Sequence, residues 1–212
     1  NANMMLGSIT LSQGSFLDVS GNSAGTVRIR SGNFVMDNAT ISADTVNGAH
    51  AAVDINIKGN LSVSDSRGLP AITARTTGLG NAGNVQIKSA NLEATSSAQS
   101  LFSPIDTHFA LIDTHTSSSG AAGNVSIDTT GNLYVTGQPT GPLYFIDSGS
   151  VGLDGGHGGD VTISAENIRL QNANISTGDN VAINSLQDSA GSGGNVTITT
   201  DTLSITRSII TT

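Results

Sequence analysis

The sequence predicts an all-β protein: a right-handed parallel β-helix, or solenoid, with three strands per coil and about seven coils. Three observations predict it. Short alternating phrases recur along the chain at matched offsets. The residues between them are glycine, asparagine and small polar turn formers. The composition has too few large apolar side chains for a compact globular core: aromatics are 3%, tryptophan is absent and glycine numbers 26. Charged residues are only 11%, against roughly 25% in ordinary soluble domains, which also argues against most disordered chains.

The first phrase is Gly-x-Val-x-Ile. It runs from Gly25 to Ile29, Gly83 to Ile87, Gly123 to Ile127, Gly159 to Ile163 and Gly194 to Ile198. Looser copies are read at Gly7-Ser8-Ile9-Thr10-Leu11 and Ala52-Val53-Asp54-Ile55. Alternation of β-branched with polar residues predicts strand, with Val27 and Ile29 inward and Arg28, Asp54, Gln86, Ser126, Thr162 and Thr197 outward. From Val27 onward the valines are spaced unequally, by 26 to 40 residues. Fixed strands joined by loops of variable length give such spacing; uniform propeller blades do not.

The second phrase, Asn-apolar-x-apolar, begins six or seven residues after each valine. Asn33, Asn60, Asn91, Asn132 and Asn167 open five successive copies, and Thr202 opens the next. Stacked amides can donate to one coil and accept from the other, so these five residues are expected to form a structural ladder. Asparagine also tolerates the left-handed backbone of a tight corner. The third phrase is an isoleucine followed by small polar residues, at Ile41, Ile72, Ile112, Ile146, Ile175 and Ile210. With coils about 4.8 Å apart, the prism is roughly 30 Å long. Arg28 is expected beside Asp54, and Lys88 beside Asp128.

The whole chain, 1–212, reads as one shaft segment with loop insertions near 96–110, 137–144 and 178–194. The first two insertions hold Leu101, Phe102, Pro104, Phe109, Pro139, Pro142 and Tyr144, which fit a cover over the shaft better than a partner-binding patch. The coil pattern runs to Ile205, Ile209 and Ile210 without a cap, so continuation into further coils, or end-to-end stacking of copies, is expected. With net charge −8 and few basic residues, no nucleic-acid footprint is present. The absence of cysteine excludes disulfides and thiolate metal sites.

Three stretches invite chemistry. Ile105-Asp106-Thr107-His108 and Ile112-Asp113-Thr114-His115 are near-duplicates, and Asp147 aligns one coil from Asp113. Such carboxylates could bind a cation or act as acid and base, but no basic residue and no third acid lie in that stretch, so an outward polar rung is the favoured reading. The run from Gly155 to Ile163 imitates a calcium-binding nonapeptide but places Thr162 where a large apolar residue belongs, so it reads as a turn. Thr162 and Thr197 are too few for an ice-binding array. No catalytic, cofactor-binding or metal residue is assigned.

Gly80-Asn81-Ala82-Gly83-Asn84-Val85, Gly120-Ala121-Ala122-Gly123-Asn124-Val125 and the phrase from Met36 to Thr45 resemble filamentous-haemagglutinin-type exoproteins of two-partner secretion. The resemblance implies a shaft region downstream of that family's secretion domain, export through an outer-membrane partner transporter, and a secreted, extracellular or cell-surface location. The expected role is structural and adhesive, with a surface glycan or protein receptor as partner. The expectation of a different class is a carbohydrate-active β-helix enzyme of the lyase or hydrolase type.

Overall fold

The computed structural model describes residues 6–47, 52–97, 110–139, 143–150, 156–177 and 192–212. Among them there is no α-helix, and every strand pairing is parallel. The chain enters with β1 (Ser8–Ser12) and β2 (Phe16–Asp18). Three strands per turn follow: β3 (Thr26–Ser31), β4 (Asn33–Asp37) and β5 (Thr40–Ser42), then β6 (Ala52–Ile57), β7 (Asn60–Asp65) and β8 (Ile72–Thr73). The next turns hold β9 (Asn84–Ser89), β10 (Asn91–Ser96) and β11 (Ala110–Asp113), then β12 (Val125–Thr129), β13 (Asn132–Thr136) and β14 (Leu143–Asp147). In the last two turns the first and second strands fuse, giving β15 (Val161–Gln171) with β16 (Ala173–Ser176), and β17 (Val196–Thr206) with β18 (Ile210–Thr211).

These strands stack into three ladders. The first runs β3-β6-β9-β12-β15-β17, the second β1-β4-β7-β10-β13-β15-β17, and the third β2-β5-β8-β11-β14-β16-β18. This is a parallel β-helix. The valines stack in register from Val27 through Val53, Val85, Val125 and Val161 to Val196. Leu61, Leu92, Leu133 and Ile168 stack in the second ladder, and Ile41, Ile72, Ile112, Ile146, Ile175 and Ile210 in the third. All but Val196 and Ile210 are buried, so the core is a column of rungs shared by the three ladders.

The glycine of the first phrase has a physical cause beyond turn formation. A Cβ on Gly123 would overlap the Gly83 carbonyl, one on Gly159 the Gly123 carbonyl, and one on Gly194 the Gly159 carbonyl. The same residues close each turn. Gly83 N–H donates to Ala74 O (2.7 Å), Gly123 N–H to Thr114 O (2.9 Å) and Gly159 N–H to Ser148 O (2.8 Å). Beyond the third strand the turns still stack, through single bridges joining Gly21, Thr45, Thr76, Thr116 and Ser150. The last four of these side chains are buried.

Several expectations need correction. Gly7-Ser8-Ile9-Thr10-Leu11 is a copy of the second phrase: Ser8 pairs Asn33, Ile9 pairs Phe34 and Leu11 pairs Met36. Its alternation is the same in both readings, and only the pairing distinguishes them. Leu143 and Tyr144 belong to β14, whereas the sequence put them in a loop; the rest of the insertions lies largely outside the described residues. Arg28 is in register with Asp54, but the ion pair is made by Arg30, which also reaches the Asp54 carbonyl at 2.9 Å. Lys88 pairs Asp128 at 3.6 Å, as read. Left-handed backbone occurs not at the five ladder asparagines but at the next corner, where Gln13, Asn38, Asn172 and Arg207 have φ near +50°.

The asparagine column itself is bonded throughout. Asn33 Oδ1 accepts from Asn60 N–H (2.9 Å), and Asn60 Oδ1 from Asn91 Nδ2 (3.0 Å). Asn91 Oδ1 accepts from Asn132 N–H (2.9 Å), Asn132 Oδ1 from Asn167 Nδ2 (3.0 Å), and Asn167 Oδ1 from the Thr202 hydroxyl. Backbone and side-chain donors alternate. The column lies at the surface: Asn33 and Asn60 are exposed, and the other three are half-buried.

Candidate functional site

The richest chemistry lies where the third ladder runs into these single bridges. The position after the stacked isoleucine, which is Leu17 in the first turn, aligns Asp18, Ser42, Thr73, Asp113, Asp147, Ser176 and Thr211 across the turns. Asp113 and Asp147 are therefore opposed in register, as the sequence reading placed them. Both are fully buried. An aspartate suits this corner because its carboxylate caps the backbone two residues on. Asp18 Oδ1 accepts from Ser20 N–H (2.9 Å), Asp113 Oδ1 from His115 N–H (3.2 Å) and Asp147 Oδ1 from Gly149 N–H (3.0 Å).

Two residues further along, the aligned positions are Ser20, Asp44, Arg75, His115 and Gly149, and here the turns are tied together. Asp44 accepts from Arg75 N–H (2.9 Å), Nε (3.2 Å) and Nη2 (2.8 Å). Arg75 Nη1 lies 3.8 Å from Asp113 Oδ2. The other oxygen of Asp113 is 2.6 Å from His115 Nδ1. Asp113 Oδ2 is buried and makes no hydrogen bond. The adjoining seam is hydroxylic: Ser20 Oγ and Ser42 Oγ are 2.7 Å apart, and Thr73 Oγ1 donates to Ser42 Oγ (3.0 Å).

The electrostatics follow from burial and charge. Burial alone would lower the pKa of His115; the Asp113 hydrogen bond and charge, with the Asp147 charge, outweigh it and the opposing Arg75, so the pKa is raised. Burial likewise opposes the charge on Arg75, but Asp44 and Asp113 raise its pKa. At the exposed Asp18, the Ser20 side chain and backbone hydrogen bonds lower the carboxyl pKa.

The stretch around Asp113 itself holds no Arg or Lys. Arg75 comes from the preceding turn, three residues after Ile72, as Asp44 follows Ile41 and His115 follows Ile112. That shared offset was the available signal. Asp106 and His108 lie outside the described residues. Among those described, no group of three or more His, Asp or Glu side chains could hold a metal ion, and the cationic Arg75 beside Asp113 Oδ2 opposes one. The acids and the histidine make an ion-pair chain between turns. The Asp113–His115 contact can hold or pass a proton, but both carboxylates are sealed from solvent.

The glycine-rich stretch ending in Ile163 serves the stack as well. Asp160 N–H donates to Asn124 Oδ1 (2.8 Å), and Asp160 Oδ1 accepts from Asn195 N–H (2.8 Å) and Nδ2 (3.1 Å). With Asn124 N–H on Asn84 Oδ1 (2.9 Å), this is a second polar column, Asn84-Asn124-Asp160-Asn195. His157 Nδ1 is 2.9 Å from Ser192 Oγ.

Fold and site together define a parallel β-helix whose polar side chains join one turn to the next. No protein-family model, curated protein or solved structure matches the chain.

Proposed function

We propose that this chain is a structural and adhesive segment of a secreted bacterial surface protein or extracellular fibre. It resembles the shaft of filamentous-haemagglutinin-type exoproteins. The observation that carries the reading is the repetition of the same inward and stacking positions through three ladders, turn after turn, while the connections vary in length. Such a design holds loops at fixed spacing on a stiff support. The resemblance in the repeat phrases brings with it export through an outer-membrane partner transporter and contact with a surface glycan or protein receptor.

The test separates binding from turnover. The purified chain is offered immobilised glycans and acidic and neutral polysaccharides. Retention on a glycan or on receptor-bearing cells, with no new reducing ends and no unsaturated products, is the expected result. Release of oligosaccharides would overturn the reading in favour of a carbohydrate-active enzyme.

A further inference from the structure

We propose that His115, with Asp113, Asp147 and Arg75, is a proton-operated clamp across the seam between β11 and β14: protonated His115 holds the two turns together and its neutral form loosens them. The geometry makes this demand. Asp113 and Asp147 oppose each other on adjacent parallel strands, both fully buried. Like charges directly opposite across a ladder are unfavourable, and burial removes the water that would screen them. Two described cationic groups face the pair. Arg75 is already bonded to Asp44 and stands off Asp113 at 3.8 Å. His115 is in contact with Asp113 at 2.6 Å, with only 14% of its side chain exposed. In the turns on either side, the slot of Asp113 and Asp147 carries Thr73 and Ser176, which need no counter-charge.

The sign follows from His115 having a raised pKa in the folded chain. Its stabilising contribution is fully present below the ordinary histidine value, about 6.5, and is lost as pH rises through the higher folded value. Asp113 keeps a hydrogen bond from neutral His115 if the proton stays on Nδ1, so the seam loosens and does not come apart. The Thr114 N–H, which donates to Asp147 O across the seam at 2.8 Å, reports it directly.

The experiment measures protection factors of the seam amides and thermal midpoints from pH 5.5 to 9, with the His115 ring followed by NMR. The wild-type chain should lose Thr114 protection and about 2–4 °C of midpoint per kcal/mol lost as the ring titrates. His115→Gln should show the loosened seam at every pH. Asp147→Asn removes the opposing charge and should stay protected throughout, with its histidine titrating lower than in the wild type. If His115→Gln does not fold, the wild type and Asp147→Asn decide the matter. A His115 ring titrating at or below the ordinary value, or the wild-type pH profile persisting in Asp147→Asn, would overturn the clamp.

Discussion

At the scale of single residues, two repeat positions explain themselves through their neighbours one turn away. Gly123 is required because the Gly83 carbonyl occupies the space of its Cβ, whereas a Cβ on Gly7 meets nothing within 4 Å. Gly123→Ala should therefore cost about 1–3 kcal/mol or more, the scale of overpacking against an unyielding group. Gly7→Ala should be close to neutral, and equal denaturation midpoints for the two would refute the argument. The amide column makes a milder claim. Asn91 bonds both neighbours, but it is only half-buried, so water replaces part of what is removed. Asn91→Ala should cost about 1 kcal/mol and outward Glu93→Ala less, as urea denaturation of both can check. The slots of both residues were legible in the sequence as recurring letters. The reason for the glycine was not, because a carbonyl from another turn leaves no trace in the local pattern.

At the scale of elements, strand existence and register were largely legible and the corners were not. Period-2 alternation with matched offsets placed the stacking of Val27 on Val53, Leu92 on Leu133 and Ile112 on Ile146. It could not tell β1 from a first-ladder strand, because inward and outward positions look alike in both ladders. Nor could it place Arg75 against Asp113, whose sequence distance is set by a loop. In four turns the corner after the second ladder is left-handed, at Gln13, Asn38, Asn172 and Arg207, and these residues differ in how readily they adopt it: Asn38 and Asn172 do so readily, Arg207 less so. Asn38 Oδ1 also accepts from Ser66 N–H at 2.8 Å. The left-handed conformation costs an ordinary residue about 1–2 kcal/mol, and asparagine relieves part of that. Arg207→Asn should raise the thermal midpoint, while Asn172→Arg should lower it. The reverse order would mean that the corner is not held in this conformation.

At the scale of the whole molecule, each turn touches only the turns beside it, so a residue's worth depends on its place in the stack. Leu133 and Leu203 test this because they are the same residue in the same inward slot, joined through Ile168. Leu133 is fully buried, with Leu92 on one side and Ile168 on the other. Leu203 is packed on β15 from one side and is 47% exposed. Truncating a buried leucine removes its transfer energy and leaves a cavity, so Leu133→Ala should cost about 2–5 kcal/mol. Leu203→Ala opens no enclosed cavity and should cost well under half as much. Amide protection should fall the same way, highest across β9, β10, β12 and β13 and lowest on the outer edges of β1 and β17. Urea denaturation of the two variants at several concentrations of the 212-residue chain decides what covers the exposed side of Leu203 in that chain. Unequal costs at every concentration mean that water covers β17. Costs that converge as concentration rises mean that a second copy has stacked on it and completed the core around Leu203.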